Sequence, residues 1–174
     1  MSLRRSWCAW REGGAVDGSR QQVADRLRGL TARRAGVAVV LWGEPGIGKT
    51  HLARAVLREA PCASISIRAR QPLEQVALAV PRSPQAGAWL AVSIERLERG
   101  ERFTGEQLVK VLAAQLALRA PVVLHVEDLH ECSPDQLQLW RTLAARVTRT
   151  RGAGLLVTSR TLPQTALNRS TLIR

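Results

Sequence analysis

Four stretches of the chain have the pattern of buried β-strands. "AGVAVVLWG" is apolar throughout and ends in glycine, which is typical of a strand covered on both faces of a parallel sheet. "ASISIR" alternates apolar and polar positions, whereas "PVVLHVED" and "GLLVTSR" are apolar runs that end in polar residues. We therefore predict strands over residues 35–43, 63–68, 121–128 and 154–160.

The segments between these strands have the spacing of amphipathic helices. Near the start of the chain, Val23, Leu27 and Leu30 recur at intervals of three and four residues, with arginines between them. This spacing places apolar side chains on one face of a helix. We predict helices from residue 17 onward and over 48–59, 72–79 and 85–98.

Two short polar motifs mark further helix starts. In "TGEQ", 104–107, a Thr hydroxyl can accept from a free backbone N–H group while Gln reaches back. In "SPDQ", 133–136, Ser occupies the cap and Pro the first helical position. Strands and helices therefore alternate, which predicts an α/β fold with helices on both faces of a parallel sheet, a three-layer α/β/α arrangement. We expect functional groups at the carboxyl ends of the strands.

The composition is that of one globular domain. The chain has 174 residues, of which 45% are hydrophobic and 23% charged, enough to form a core. Residues 1–16 have no clear period, so we predict a loosely ordered tail there and a folded core over 17–174. No apolar run reaches the roughly 18 residues that a membrane span needs, and no apolar block follows the basic start. We expect a cytoplasmic protein that does not contact membranes.

The net charge of +12 leaves nucleic-acid binding open. The basic residues are almost all arginines, since Lys49 and Lys110 are the only lysines. Against nucleic-acid binding, no run of arginines exceeds two, and the chain has one Phe and no Tyr to interleave with them. Charge alone therefore does not identify DNA as a partner.

"GEPGIGKT" after the first strand fits the phosphate-loop pattern G-x-x-x-x-G-K-[ST] completely. Its glycines let the backbone curl with N–H groups inward, and the helix that follows adds the positive end of its dipole. A Lys at this place reaches the β and γ phosphates of ATP, and the next hydroxyl binds Mg²⁺. The candidate nucleotide-binding residues are Gly43, Glu44, Pro45, Gly46, Ile47, Gly48, Lys49, Thr50 and His51, the last without an assigned role.

Two adjacent acids end the third strand. Glu127 follows the apolar run directly and is predicted to bind Mg²⁺ together with Thr50, and Asp128 is predicted to polarise the attacking water. Because successive strand residues point to opposite faces, we expect the two acids to have different tasks. His125, inside the same strand, is predicted to be a core histidine with satisfied hydrogen bonds.

A polar cluster, Thr158, Ser159 and Arg160, ends the fourth strand. Arg160 is predicted to be a catalytic residue that adds positive charge where negative charge builds up on the phosphates. An ordinary exit from a strand into a loop is the alternative interpretation of this cluster.

Four stretches of the chain together resemble the ATPase domain of AAA-type and STAND signal-transduction P-loop NTPases. They are "VDGSRQQVADRL", "LWGEPGIGKTHLARAV", "VVLHVEDLHECSPDQL" and "LLVTSR". This group includes the nucleotide-binding module of large bacterial transcriptional regulators. The resemblance implies a five-stranded parallel core in the order 5-1-4-3-2, binding of ATP with Mg²⁺, and slow hydrolysis that serves as a conformational switch.

The chain departs from this family in two respects. The metal-side acid of the family is usually Asp, whereas here it is Glu127, whose extra methylene shifts the carboxylate. "TLIR" resembles the beginning of the fifth strand, so we expect the helical lid and the downstream modules of the family to lie outside this chain.

The sequence leaves two alternatives to a signalling ATPase. One is a DNA-associated loader or initiator ATPase of the AAA type, which "GKTHLA" and the basic charge favour. The other is a module that binds nucleotide without turnover. We further expect weak ATPase activity, binding of ATP and ADP, and self-association through the ATPase core.

Overall fold

A five-stranded parallel sheet forms the middle layer of the computed structural model, which describes residues 15–32, 35–161 and 171–173. The strand order is β2-β3-β4-β1-β5, which is the predicted order 5-1-4-3-2 counted from the other edge. The predicted α/β fold class is confirmed. The strands are β1 (Val37–Trp42), β2 (Ala63–Arg68), β3 (Val122–Glu127), β4 (Ala153–Ser159) and β5 (Thr171–Ile173).

Six α-helices connect these strands within the described residues. A one-turn 3₁₀ helix, Leu129–Glu131, also follows β3. Of the predicted tail, residues 1–14 lie outside the described part of the chain, and the first helix already includes Ala15 and Val16. The helices are α1 (Ala15–Ala32), α2 (Lys49–Glu59), α3 (Leu73–Ala79), α4 (Ala88–Glu98), α5 (Gly105–Leu118) and α6 (Pro134–Val147).

The two faces of the sheet bury different side chains because successive strand residues point to opposite faces. In β1, Val37, Val39 and Leu41 pack on the side of α1 and α2, whereas Ala38 and Val40 pack on the side of α3 to α6. The stripe of α1 predicted from its spacing is fully buried against the first face. This gives the three-layer arrangement expected for an α/β chain.

Both predicted capping motifs are formed. Thr104 accepts from the backbone N–H of Gln107 at 3.3 Å, and the Gln107 side chain accepts from the backbone of Thr104 at 2.8 Å. Ser133 and Gln136 form the same reciprocal pair at the start of α6, at 3.2 and 3.4 Å. The two helices thereby satisfy backbone N–H groups that would otherwise lack a partner.

The start of α4 was predicted too early. A turn closed by a hydrogen bond from Ala86 N–H to the Ser83 carbonyl precedes it, and the helix begins at Ala88, after Gly87. No helix in the described ranges is long and apolar enough to cross a membrane.

The register of the sheet brings three loops to one edge. Trp42 at the end of β1 is paired with Ser159 at the end of β4, and Val126 near the end of β3 is paired with Val157 of β4. The residues that follow these strands therefore leave the sheet side by side. This edge collects the glycine loop, the acids and the end of β4.

Candidate functional site

The glycine loop after β1 adopts a backbone that favours glycine. Gly46 and Gly48 have φ angles of 83° and 87°, in the left-handed region that L-residues with a side chain rarely adopt. A Cβ atom at either position would meet no atom within 4 Å, so the space beside the loop is open. At these two positions the left-handed backbone, and not lack of space, favours glycine.

Helix α2 begins directly at this loop and leaves backbone donors unused. Its first intrahelical hydrogen bond runs from Leu52 N–H to the Gly48 carbonyl at 2.8 Å, so the N–H groups of Lys49, Thr50 and His51 have no acceptor within the helix. Gly48 provides no side-chain cap, and the first turn contains no acidic residue. Such a helix start attracts anions through its donors and its dipole. The His51 side chain itself is exposed.

Lys49 lies inside the loop. Its Nζ donates to the carbonyls of Gly43 at 2.8 Å and Glu44 at 2.7 Å. Burial lowers the pKa of Lys49 below its ordinary value, the positive charge of Arg160 lowers it further, and the Asp128 carboxylate acts in the opposite direction. Lys49 at the start of α2, Asp128 after β3 and Arg160 after β4 are therefore near enough to influence one another's charge.

Asp128 does not continue β3, contrary to the predicted strand boundary. Its backbone is left-handed, with φ 59° and ψ 49°, and its carbonyl accepts from Glu131 N–H at 2.9 Å to start the 3₁₀ turn. Its own N–H donates to Thr158 Oγ1 of β4 at 3.3 Å. The surroundings of the two acids differ because a turn follows Glu127, and not because of strand alternation. That the two acids have different tasks stays a prediction.

Glu127 is the last residue of β3 and is buried, with 8% of its surface exposed. Its Oε1 accepts from Arg54 Nη2 at 2.9 Å and from Arg54 Nε at 3.2 Å. Sequence reasoning missed Arg54. The available signal was its place on α2, four residues after Thr50, because residues four apart on a helix lie on one face.

His125 is fully buried, as predicted, but only one of its nitrogens has a partner. Nδ1 lies 3.2 Å from Ser66 Oγ, whereas Nε2 has no hydrogen-bond partner among the described residues. Nδ1 is also 3.7 Å from Glu127 Oε1. Burial lowers the pKa of His125, Glu127 opposes this shift, and Arg54 adds to it. Burial thus favours the neutral form of the imidazole.

The polar end of β4 divides into buried and exposed parts. Thr158 and Ser159 are buried within the strand, and Thr158 anchors the backbone of Asp128. Arg160 is exposed, and its backbone N–H donates to His130 Nδ1 at 3.4 Å. Its guanidinium is close enough to Lys49 to affect that residue's pKa. Arg160 thus lies near Lys49, its catalytic role stays a prediction, and Thr158 has a structural contact that the sequence did not indicate.

The oxygen donors predicted to bind Mg²⁺ both border α2. Thr50 is in its first turn, and Glu127 reaches the helix through Arg54. The described part of the chain has no cluster of three or more His, Cys, Asp or Glu side chains that could hold a metal ion by itself. One carboxylate and one hydroxyl suit Mg²⁺ only when phosphate oxygens supply further ligands. The donor set therefore fits a metal that arrives with a nucleotide.

A comparison with protein families identifies this arrangement. The AAA ATPase domain matches residues 17–157, which covers the glycine loop, both acids and most of β4. The chain belongs to the AAA ATPase domain family. Domains of this family bind ATP, generally with Mg²⁺. Among curated proteins, no significant match is found.

Solved structures show the same fold for this AAA ATPase domain. Cdc6p from Pyrobaculum aerophilum is similar with a TM-score of 0.60 and 16% identity, over 97% of this chain and 47% of that one. The ORC1 protein of Aeropyrum pernix, in complex with DNA, gives 0.58 and 18% over 91% and 44%. AMPPCP-bound DnaA from Aquifex aeolicus gives 0.51 and 16% over 93% and 43%. The chain thus spans about half the length of these proteins, and at such identities the likeness concerns the fold.

Proposed function

We propose that this AAA ATPase domain binds ATP together with Mg²⁺ and hydrolyses it slowly, as a switch between conformations. The observation that carries the proposal is the meeting of Lys49, Asp128 and Arg160 beside a glycine loop that opens onto the start of α2. Basic and acidic groups gathered around free backbone donors suit a phosphate chain and the water that attacks it.

The loop and Lys49 bind the phosphates in this proposal. The N–H groups at the start of α2 donate to phosphate oxygens, and Lys49 exchanges its bonds to the Gly43 and Glu44 carbonyls for bonds to the β and γ phosphates. Thr50 and Glu127 hold Mg²⁺, which neutralises charge on the phosphate oxygens. The carbonyls that Lys49 now contacts keep its ammonium in place before the nucleotide binds.

Asp128 and Arg160 act on the reaction itself. Asp128 accepts a hydrogen bond from the attacking water and orients it, since its backbone is fixed by Thr158 and by the 3₁₀ turn. Arg160 is exposed at the same edge and adds positive charge where negative charge develops on the γ phosphate. Slow turnover is proposed from the resemblance to the switch ATPases.

The test combines nucleotide binding with phosphate release. Lys49→Ala is expected to weaken binding of a fluorescent ATP analogue with Mg²⁺ by about 100-fold, as a charge-assisted contact to phosphate is lost. Lys110→Ala is the matched control, because Lys110 is the other lysine and lies over the Trp89 ring on the surface, 4.9 Å from its centroid. Asp128→Asn is expected to keep binding and lose phosphate release. Equal affinities of Lys49→Ala and Lys110→Ala would contradict the site.

We further propose that the switch serves signalling or transcriptional regulation, which the four motifs of the sequence support. The second candidate is a DNA-associated initiator ATPase. The net charge of +12 and the likeness in fold to an ORC1 protein in complex with DNA favour it. Binding of duplex DNA measured across salt concentrations separates the two. An affinity that falls steeply with salt favours the second candidate, and no salt-dependent binding eliminates it.

A further inference from the structure

The metal-side acid of the proposed site is already held by a cation. Arg54 donates twice to Glu127 Oε1, through Nη2 at 2.9 Å and Nε at 3.2 Å. The Glu127 side chain is 11% exposed, whereas that of Arg54 is 62% exposed. The carboxylate is therefore fixed in the protein, while the guanidinium can move into solvent and leave it.

Glu127 has little other compensation for its charge. The neighbouring His125 Nδ1 is 3.7 Å from Oε1, beyond hydrogen-bond distance, and lies closer to Ser66 Oγ, at 3.2 Å. Arg68 is paired with Glu127 in the sheet but is exposed, and it forms no ion pair with Glu127 in the described structure. A buried carboxylate without a partner is costly, so Arg54 stabilises the charged form of Glu127 before any metal is present.

The position of Arg54 sets up a competition. Arg54 is one turn after Thr50 on α2, so its guanidinium and a metal held by Thr50 and Glu127 would approach the same carboxylate from the same helix. Two cations close to one carboxylate oxygen repel each other. A metal bound to this carboxylate would therefore weaken the contact of Arg54 with Oε1.

We propose that Arg54 is a positioning residue that competes with Mg²⁺ for Glu127. In the nucleotide-free chain the guanidinium holds the carboxylate, and binding of Mg²⁺ with ATP displaces it towards solvent. The inference rests on the proposed function, because it concerns the same nucleotide site. This competition reduces the amount by which Mg²⁺ raises the affinity for nucleotide, compared with the same site without Arg54.

The measurement is a ratio of affinities. A fluorescent, non-hydrolysable ATP analogue is titrated onto the full chain with saturating Mg²⁺ and again with EDTA, and the two affinities are divided. Arg54→Gln removes the competing charge and is expected to raise this ratio about fivefold, as suits a half-exposed ion pair. Arg54→Lys keeps the charge without the two-point contact and is expected to raise it about twofold.

Two controls separate competition from a structural effect. Arg58→Gln makes the same charge change one turn further along α2, at an exposed residue that forms no ion pair with Glu127 in the described structure. It is expected to leave the ratio unchanged. In a Glu127→Gln background, Arg54→Gln is expected to have no effect on the ratio, since the proposed competition acts through the carboxylate.

Each outcome decides between the possibilities. A raised ratio in Arg54→Gln that disappears in the Glu127→Gln background supports the inference. An unchanged or lowered ratio in Arg54→Gln, with nucleotide still bound, overturns it and leaves the proposed function intact. If the unmodified chain does not bind nucleotide, the proposed function is wrong and the inference is wrong with it. Should Arg54→Gln not fold, the Arg54→Lys ratio decides in the same way.

Discussion

The left-handed backbone of Asp128 can be tested by three substitutions that all remove its charge. With φ 59° and ψ 49°, Asp128 has a conformation that costs most L-residues roughly 1–2 kcal/mol, and Asp or Asn less because their short polar side chains bond locally. Asp128→Asn, Asp128→Gly and Asp128→Ala lose the same attraction to Lys49. Differences among the three variants therefore report the left-handed conformation, together with the local bonds that an Asn side chain keeps.

The magnitudes follow from this conformation. The Ala variant bears the left-handed cost in full, so we expect it to be about 1 kcal/mol less stable than the Asn variant. The Gly variant has no such cost, but its greater freedom in the unfolded chain lowers the free energy of unfolding by up to about 1 kcal/mol. We therefore expect its free energy of unfolding to lie within about 0.5 kcal/mol of that of the Asn variant. In a domain of this size, 1 kcal/mol corresponds to a Tm difference of about 2–4 °C.

The assay is urea unfolding followed by circular dichroism, with thermal unfolding as a second measurement. Equal m-values for the three variants establish that stability alone has changed. An Ala variant as stable as the Asn and Gly variants would refute the left-handed conformation. Phosphate release by the Asn variant adds an independent result, because that variant keeps the backbone and lacks only the carboxylate.

Two further predictions concern packing and a thiol. Gly36→Ala is expected to lower the free energy of unfolding by at least about 3 kcal/mol. The Cβ of the alanine would lie 2.0 Å from the Val147 carbonyl oxygen and 2.5 Å from that of Ala153. Gly87→Ala, with no atom within 4 Å, is the control in the same urea experiment, and equal losses would contradict the packing argument. Burial raises the pKa of Cys132 to about 11. At pH 8 about one Cys132 thiol in a thousand is then ionised. Alkylation of Cys132, detected by mass spectrometry, should therefore be slow until urea is added or the pH approaches this pKa. Rapid labelling of Cys132 in the folded chain would contradict the prediction.

The sequence predicts well those features that are local. The glycine loop, the strands and the caps of α5 and α6 follow from residues a few positions apart, and the structure has each of them where the pattern places it. The strand order was predicted from the family resemblance and is confirmed. The boundaries were less accurate, since the turn before α4 depends on a single backbone hydrogen bond.

The sequence does not predict contacts between distant segments. Arg54 and Glu127 are 73 positions apart, and no spacing rule links a residue on α2 to one on β3. Asp128 follows an apolar run, so the pattern predicts that the strand includes it. In the structure, its carbonyl accepts from Glu131 N–H and its own N–H donates to Thr158 Oγ1, and the backbone turns away from the strand. His125 has the pattern of a core residue, yet whether each nitrogen finds a partner depends on β2 beside it.

The strand order also determines when this domain can fold during its synthesis. β1, which precedes the glycine loop, pairs with β4 on one side and β5 on the other, and both neighbours follow β2 and β3 in the sequence. A growing chain that has left the ribosome with β1 and α2 alone has no partner strand for either edge of β1. The loop that comes first in the sequence is therefore among the last parts to be fixed in place, and until β4 emerges an apolar strand stays exposed to other chains and to chaperones.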